Sequence, residues 1–302
     1  MNIVIAVPVD EGLASFIGKK GSSDSIAFYN RKIDEDVIVA LFPSQEEEKT
    51  YALAEALLIA QKTVLSTTMM DRKFGEALVA ASLLGRPTLM TDDNDATGIL
   101  RGSGISNYRV VSRDKLLEDI RADSGATVDE GRGVRIEIDK AFPVKGVGTV
   151  ALGIVTRGTL KQHDKLYHTS GKQVTVRSIQ SQDVDVVSAE KGARVGVSLK
   201  DISHEEIEKG DLLTPALVKK SAKLVIGYTV SKLAAEKVSE GSWYRLVLGF
   251  SFSECMVTKV GNGEMELELK APLPAEVGDD VLLIRKEMPR IFACGKVKEA
   301  HA

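Results

Sequence analysis

A chain of 302 residues, 43% hydrophobic and 27% charged, has the make-up of an ordinary soluble protein of two or three domains. Its formal charge of −3 argues against nonspecific coating of nucleic acid, which needs a basic surface, and leaves room for a local basic groove. No apolar run approaches the roughly 18 residues that cross a bilayer. The opening MNIVIAVPVDEG has no basic stretch ahead of its apolar residues and reads as a first strand rather than a signal peptide. Cys255 and Cys294 are too few for a disulfide scaffold and read as reduced thiols in a cytoplasmic protein. His163, His168, His204 and His301 lack ligand spacing, so neither a metal nor another cofactor is expected.

In chain order, residues 2–9, 37–42, 63–66, 87–91 and 108–112 are short continuous apolar runs, the pattern of parallel strands buried on both faces. Helical spacing lies between them. Residues 47–61 place Tyr51, Ala54, Leu57 and Leu58 on one face, with Glu46-Glu47-Glu48 as an acidic first turn. Residues 71–84 repeat the pattern with Phe74, Leu78 and Ala81, and 114–122 follow Ser112 as an N-cap. Strands alternating with helices predict an α/β domain over 1–125. The polar, glycine-rich stretch 123–131 reads as a linker.

The next region turns to all-β patterning. Residues 146–158, GVGTVALGIVTRG, open on a tight turn, run through β-branched residues and end on Arg157-Gly158. Gly146, Gly148 and Gly153 suit a curled strand where a side chain would obstruct the corner. A barrel is predicted over 132–216. A second all-β region over 222–302 carries six short runs, with Gly261-Asn262-Gly263 as a hairpin turn between two of them. The predicted fold is therefore α/β plus all-β: a parallel-sheet domain followed by two small β-barrels.

The pattern G-x-G-T-V-x-x-G-x-V-x-x-G, then G-x-R-V-G and E-x-G-D, resembles the second domain of the translational GTPases over about residues 133–214. Elongation factor Tu, the selenocysteine-specific elongation factor and the gamma subunit of archaeal initiation factor 2 carry such a domain. The stretch 176–185, with Gly18-Lys19-Lys20-Gly21-Ser22, is similar to the selenocysteine-factor-like elongation factors of methanogenic archaea. The resemblance implies that the first domain is GTPase-like and that 222–302 is the third domain of such a factor.

It also implies a phosphate loop, G-x-x-x-x-G-K-[ST], after the first strand. Aligned on Asp10-x-Gly12, the first glycine is Val7, the lysine is Leu13 and the hydroxyl residue is Ala14, so that Asp10 and Gly12 stand as a remnant. Gly12 and Gly18-Lys19 mimic the loop out of register, with Lys20 where Ser or Thr belongs. Leu41-Phe42-Pro43-Ser44 stands in place of D-x-x-G, Thr91-Asp92-Asp93-Asn94 in place of N-K-x-D, and 21–36 offers no switch threonine. The expectation is a degenerate GTPase fold.

In the family the second domain holds the aminoacyl end and 3′ adenosine of tRNA. The matching positions are Asp139, Lys140, Phe142, Gly146, Val147, Ala193 and Arg194, with Phe142 suited to a base or aminoacyl group and Arg194 to a phosphate. Lys140 and Ala193 stand where elongation factor Tu has acidic residues. No catalytic residue is expected: the acid clusters Asp92-Asp93-Asn94-Asp95 and Glu35-Asp36 have no partner His or Lys pattern. The reading is an elongation-factor-like protein that binds tRNA or the ribosome without turning over GTP. A protein-binding scaffold and a divergent GTPase are the alternatives.

Overall fold

The computed structural model describes residues 1–44, 50–91, 104–122, 131–234 and 237–301. Glu46-Glu47-Glu48, Asp92-Asp93-Asn94-Asp95 and nearly all of the expected linker lie outside the described residues.

The N-terminal domain is one twisted sheet. Its parallel strands are β1 (Asn2–Ala6), β4 (Asp36–Pro43), β5 (Lys62–Ser66), β6 (Thr88–Thr91) and β7 (Tyr108–Val111), at the five predicted runs. An antiparallel hairpin, β2 (Lys19–Ser23) and β3 (Ile26–Ile33), extends the sheet beside β4, giving the order β2-β3-β4-β1-β5-β6-β7. Gly18-Lys19-Lys20-Gly21-Ser22 is thus largely an edge strand, every residue of which is exposed. Lysines on such an edge discourage pairing with a second sheet.

Among the described residues, four helices cover the faces. They are α1 (Glu11–Ile17), α2 (Thr50–Ile59), α3 (Arg72–Leu84) and α4 (Leu116–Ala122). Asp71 caps α3 by accepting from the Phe74 N–H, and Gly85 ends it in the left-handed region at φ 61°. Ser112 is not the cap of α4: its carbonyl accepts from the Lys115 N–H in a turn ahead of the helix. The one-faced reading of α2 is also revised. Every residue from Ala52 to Ile59 is buried, because α2 has the sheet on one side and a barrel on the other.

The first barrel comprises β8 (Arg135–Val144), β9 (Gly148–Arg157), β10 (Thr159–Lys161), β11 (Lys165–His168), β12 (Gln173–Ser181), β13 (Val184–Val186), β14 (Ser188–Glu190), β15 (Arg194–Lys200) and β16 (Leu212–Thr214). The order β11-β16-β8-β9-β15-β12 closes through a further β11–β12 pairing, and β10 pairs with β14. Gly153 is where the strands curl closest: a Cβ there would lie 2.5 Å from the Glu137 carbonyl oxygen. Gly146 and Gly148 are required for another reason. Nothing lies within 4 Å of a Cβ at either, but their φ values are 81° and 100°, which L side chains rarely adopt. The expected obstruction at those two positions is therefore corrected to a backbone constraint.

The second barrel comprises β17 (Lys220–Val230), β18 (Trp243–Leu248), β19 (Ser251–Gly261), β20 (Glu264–Pro274), β21 (Asp280–Ile284) and β22 (Ile291–His301). It closes in the order β17-β20-β19-β18-β21-β22. Asn262 and Gly263 turn its long hairpin with φ values of 53° and 77°, the pair of positive angles that a two-residue hairpin turn needs.

The core does not stop at the domain boundaries. Val247, Phe250, Leu282, Ile284 and Ile291 of the second barrel, none more than 3% exposed, share one apolar cluster with α2 and α3. Ile154 of the first barrel joins it. At roughly 1.5–3 kcal/mol per fully buried large side chain, those five barrel residues alone represent on the order of 10 kcal/mol. That is comparable to the net stability of an ordinary domain.

Candidate functional site

At the C-terminal end of β1 the chain runs Val7-Pro8-Val9-Asp10 straight into α1. Asp10 is extended (φ −120°, ψ 105°), and its carboxylate accepts from the Leu13 N–H at 3.0 Å. Arg113 approaches the same carboxylate at 3.6 Å and lies over the Phe16 ring at 5.6 Å. An acid thus sits on the first turn of the helix, where a phosphate would otherwise be favoured by the helix dipole and its open N–H groups. Val7, Leu13 and Ala14 are fully buried among Ile3, Ile5 and Ile17. Asp10 is therefore a helix cap, and Gly12 a residue of the first helical turn. The D-x-x-G counterpart continues β4 to Pro43, and Ser44 then bonds back to the backbone of Asp24 and Ser25.

The first barrel separates the candidate RNA-binding residues into two groups. Asp139 and Arg194 bind each other through both carboxylate oxygens at 2.7 Å. Arg194 is 8% exposed, stacks 3.9 Å from the Phe28 ring centre and reaches the Ser22 hydroxyl at 3.3 Å. Its expected role at an RNA phosphate is corrected: the guanidinium is a pin between the barrel and β2–β3. Ala193 is buried in the barrel core and cannot meet a ligand.

Lys140, Phe142, Gly146 and Val147 remain on the surface. Lys140 is exposed and Phe142 half-buried, directly across β9 from Leu152 and Val150. On the other side of β9, Gly196 and Ser198 sit opposite the same two residues. Phe142, Val150 and Leu152 therefore form a half-exposed apolar strip, left open at Gly196 by the missing side chain. Val147 is 40% exposed at the end of the strip, its N–H donating to the Val144 carbonyl at 3.0 Å. Arg177 donates to the Val147 carbonyl at 3.5 Å. A flat apolar face beside Lys140, Lys145 and Arg177 suits a stacked base or an aminoacyl group with a phosphate nearby.

Comparison with known proteins bears on this geometry. Residues 148–214 match the family model described as elongation factor Tu domain 2. Over 99% of this chain and 80% of the other, the fold matches translation elongation factor SelB from Methanococcus maripaludis in complex with the GTP analogue GppNHp, with a TM-score of 0.81 at 18% identity. The chain has the framework of the translational GTPase superfamily. It is also 27% identical to the uncharacterized protein MJ0325 of Methanocaldococcus jannaschii, over 95% of this chain and 96% of that protein. Against the selenocysteine-specific elongation factor of Haemophilus influenzae it is 25% identical over 65% of this chain, and it spans only 34% of that factor.

Three features of this elongation-factor framework were not visible in the sequence. On the second barrel, Arg245, Arg285, Lys286 and Arg290 converge with Thr50 and Tyr51 around a cup of about 210 Å³. Arg285 donates to the Met288 and Pro289 carbonyls at 3.1 and 3.2 Å, and Arg290 to the Thr50 hydroxyl at 3.4 Å. Arg245 lies 5.4 Å from the Tyr51 ring centre, and that ring stacks on Phe252 at 4.4 Å. The signal was RKEMPR at 285–290, but Arg245 joins it only through barrel closure.

The second feature is Glu55 on α2, which is 2% exposed. Lys209 of the first barrel donates to it at 2.5 Å and to the Ser25 hydroxyl at 2.9 Å. Burial pushes the Glu55 carboxyl up to about 7, against the opposing pull of Lys209. The third is a buried polar knot. The His168 Nε2 lies 3.0 Å from Asp211, which also accepts from Thr169, from the Glu208 N–H and from Lys220. These hydrogen bonds hold the Asp211 carboxyl below the usual carboxylate range although burial acts the other way. The Ser170 hydroxyl and its own N–H both meet the His168 Nδ1, so the imidazole locks a turn. Among the described residues no group of His, Cys, Asp and Glu is arranged to hold a metal ion.

Proposed function

We propose that this protein is an elongation-factor-like RNA binder, with aminoacyl-tRNA or the ribosome as its partner, that works without hydrolysing GTP. The observation that carries the reading is a contrast within one framework. The apolar strip of the first barrel is open beside Lys140 and Phe142, while the helix end that would cradle a phosphate is occupied by the Asp10 carboxylate. The relatives that share the framework support the partner class. The cup at Arg245, Arg285 and Arg290 supplies a second cationic surface, on the side of the second barrel.

Filter binding of aminoacylated tRNA at two salt concentrations tests the reading. Phosphate contacts give a steep loss of affinity with salt. Phe142→Ala removes one stack, typically about 1–3 kcal/mol, so affinity falls several-fold or more while the melting temperature holds. Lys140→Ala lowers the salt slope by about one phosphate contact. Absence of tRNA binding by the wild type at low salt, or unchanged binding by both variants, defeats the RNA reading and leaves a protein-binding scaffold. Release of phosphate from GTP with Mg²⁺, above the uncatalysed rate, defeats the part concerning hydrolysis.

A further inference from the structure

We infer that the side-chain seams between the three domains, and not a bound nucleotide, set the arrangement in which this protein presents its barrels. The inference rests on the proposed reading only for what the barrels meet.

Three glycines mark seams where one domain's backbone comes against another domain, meeting backbone at Gly192 and side chains at Gly210 and Gly249. A Cβ at Gly192 of the first barrel would lie 2.5 Å from the Asn2 carbonyl oxygen of the N-terminal domain. At Gly210 it would lie 1.8 Å from the Ser251 hydroxyl of the second barrel, and at Gly249 of the second barrel 1.9 Å from a Glu137 oxygen of the first. Domains that slide over one another keep looser, more polar contacts than these.

Buried polar pins cross these seams and the one between α3 and the second barrel. Both oxygens of Glu76 on α3, a residue 6% exposed, accept from the N–H groups of Arg290 and Ile291 at 2.7 and 3.0 Å. The Glu55–Lys209 and Asp139–Arg194–Phe28 contacts tie the first barrel to α2 and β3. Arg135 bridges the two barrels through Glu276 and Asp279 at 2.8 and 2.7 Å. Breaking any of these leaves a charge or a hydrogen-bonding group buried without its partner. The shared apolar cluster of α2, α3 and the second barrel opposes separation, because Val247, Phe250, Leu282, Ile284 and Ile291 would be exposed to water. Where β1 meets α1, the Asp10 carboxylate and the buried Leu13 and Ala14 occupy the place where a phosphate-holding loop would stand.

Pulsed electron paramagnetic resonance on the full chain tests this, with nitroxides at Lys32→Cys, Lys165→Cys and Lys259→Cys taken in pairs, one exposed site per domain. Each pair is expected to give one narrow distance distribution, unchanged by GDP or by a non-hydrolysable GTP analogue with Mg²⁺. A distance that shifts with nucleotide, or two populations in the free protein, overturns the inference. The double variant Asp139→Asn/Arg194→Met removes one pin without stranding a charge. It is expected to broaden the Lys32–Lys165 distribution and leave Lys165–Lys259 unchanged; if both broaden or neither does, the pin is not acting at this seam. The wild-type measurement decides the main question even if that variant fails to fold. Tracking tRNA binding by the same labelled proteins separates the two readings: RNA binding with a nucleotide-driven shift defeats only the fixed arrangement, and a fixed arrangement without RNA binding defeats only the proposed partner.

Discussion

The N-terminal domain treats its two functional ends differently. Where β1 meets α1, positions that a nucleotide site would keep polar are apolar and buried: Val7, Leu13 and Ala14. Along α2 and α3, a surface that a freely moving domain would keep polar is also apolar and buried, against Val247, Phe250 and Ile291 of the second barrel. At both ends the chain packs apolar side chains against each other. The first barrel has kept the opposite character at Phe142, Val150 and Leu152, which stay half-exposed on its outer wall. On the proposed function, the barrels meet the partner and the N-terminal domain holds them in place.

The comparison breaks most visibly at Leu13. Leu13→Lys restores the lysine that a phosphate loop would have, but the ammonium enters a fully buried apolar position. The expected result is loss of folding, or a cost of at least about 5 kcal/mol, read by denaturant titration. A stable variant that binds GTP would mean the loop is open after all. Phe250→Ala at the seam is expected to cost about 3–5 kcal/mol, with the circular-dichroism signal of helix and strand lost together. Loss of strand signal alone would detach the barrel from α2. Asp10→Ala removes one cap and is expected to cost about 1 kcal/mol, without creating GTP affinity.

A further effect is one of slope. The Glu55 carboxyl is raised by burial from an ordinary value of 4.5 to about 7, so the folded state holds a proton there that the unfolded state has released. Its contribution to stability is full below about pH 4.5 and is lost as pH rises towards about 7. Glu55→Gln is expected to remove that decline, seen as the difference between wild-type and variant pH profiles. Parallel profiles through this window would mean that Lys209 neutralises Glu55 more fully than the geometry indicates.

Much of the fold was legible because its signals are local. Four of the five parallel strands centre on buried β-branched or aliphatic residues, whereas β7, Tyr-Arg-Val-Val, buries only Val111, and the G-x-G turn at 146–148 carries its backbone angles in its composition. The hairpin β2–β3 was missed because KKGSS has no apolar period to read, and α1 because its seven residues bury only Leu13, Ala14 and Ile17. The site was harder to read for a spatial reason. Arg194 looks like a strand-end cation until Asp139, 55 residues away, and Phe28 of another domain come together around it. Glu55 reads as an ordinary helix acid until the first barrel brings Lys209, 154 residues away, over α2. Lys140 and Phe142 stayed on the surface because their neighbours across β9 are fixed by strand pairing alone.

Differential scanning calorimetry of the wild-type chain, with and without GTP and Mg²⁺, tests the central claim most directly. The seams couple the three domains, so one cooperative transition is expected, with a midpoint that nucleotide does not move. Separate transitions for the N-terminal domain and the barrels, or a midpoint that climbs with GTP concentration as binding to the folded state requires, would contradict the account.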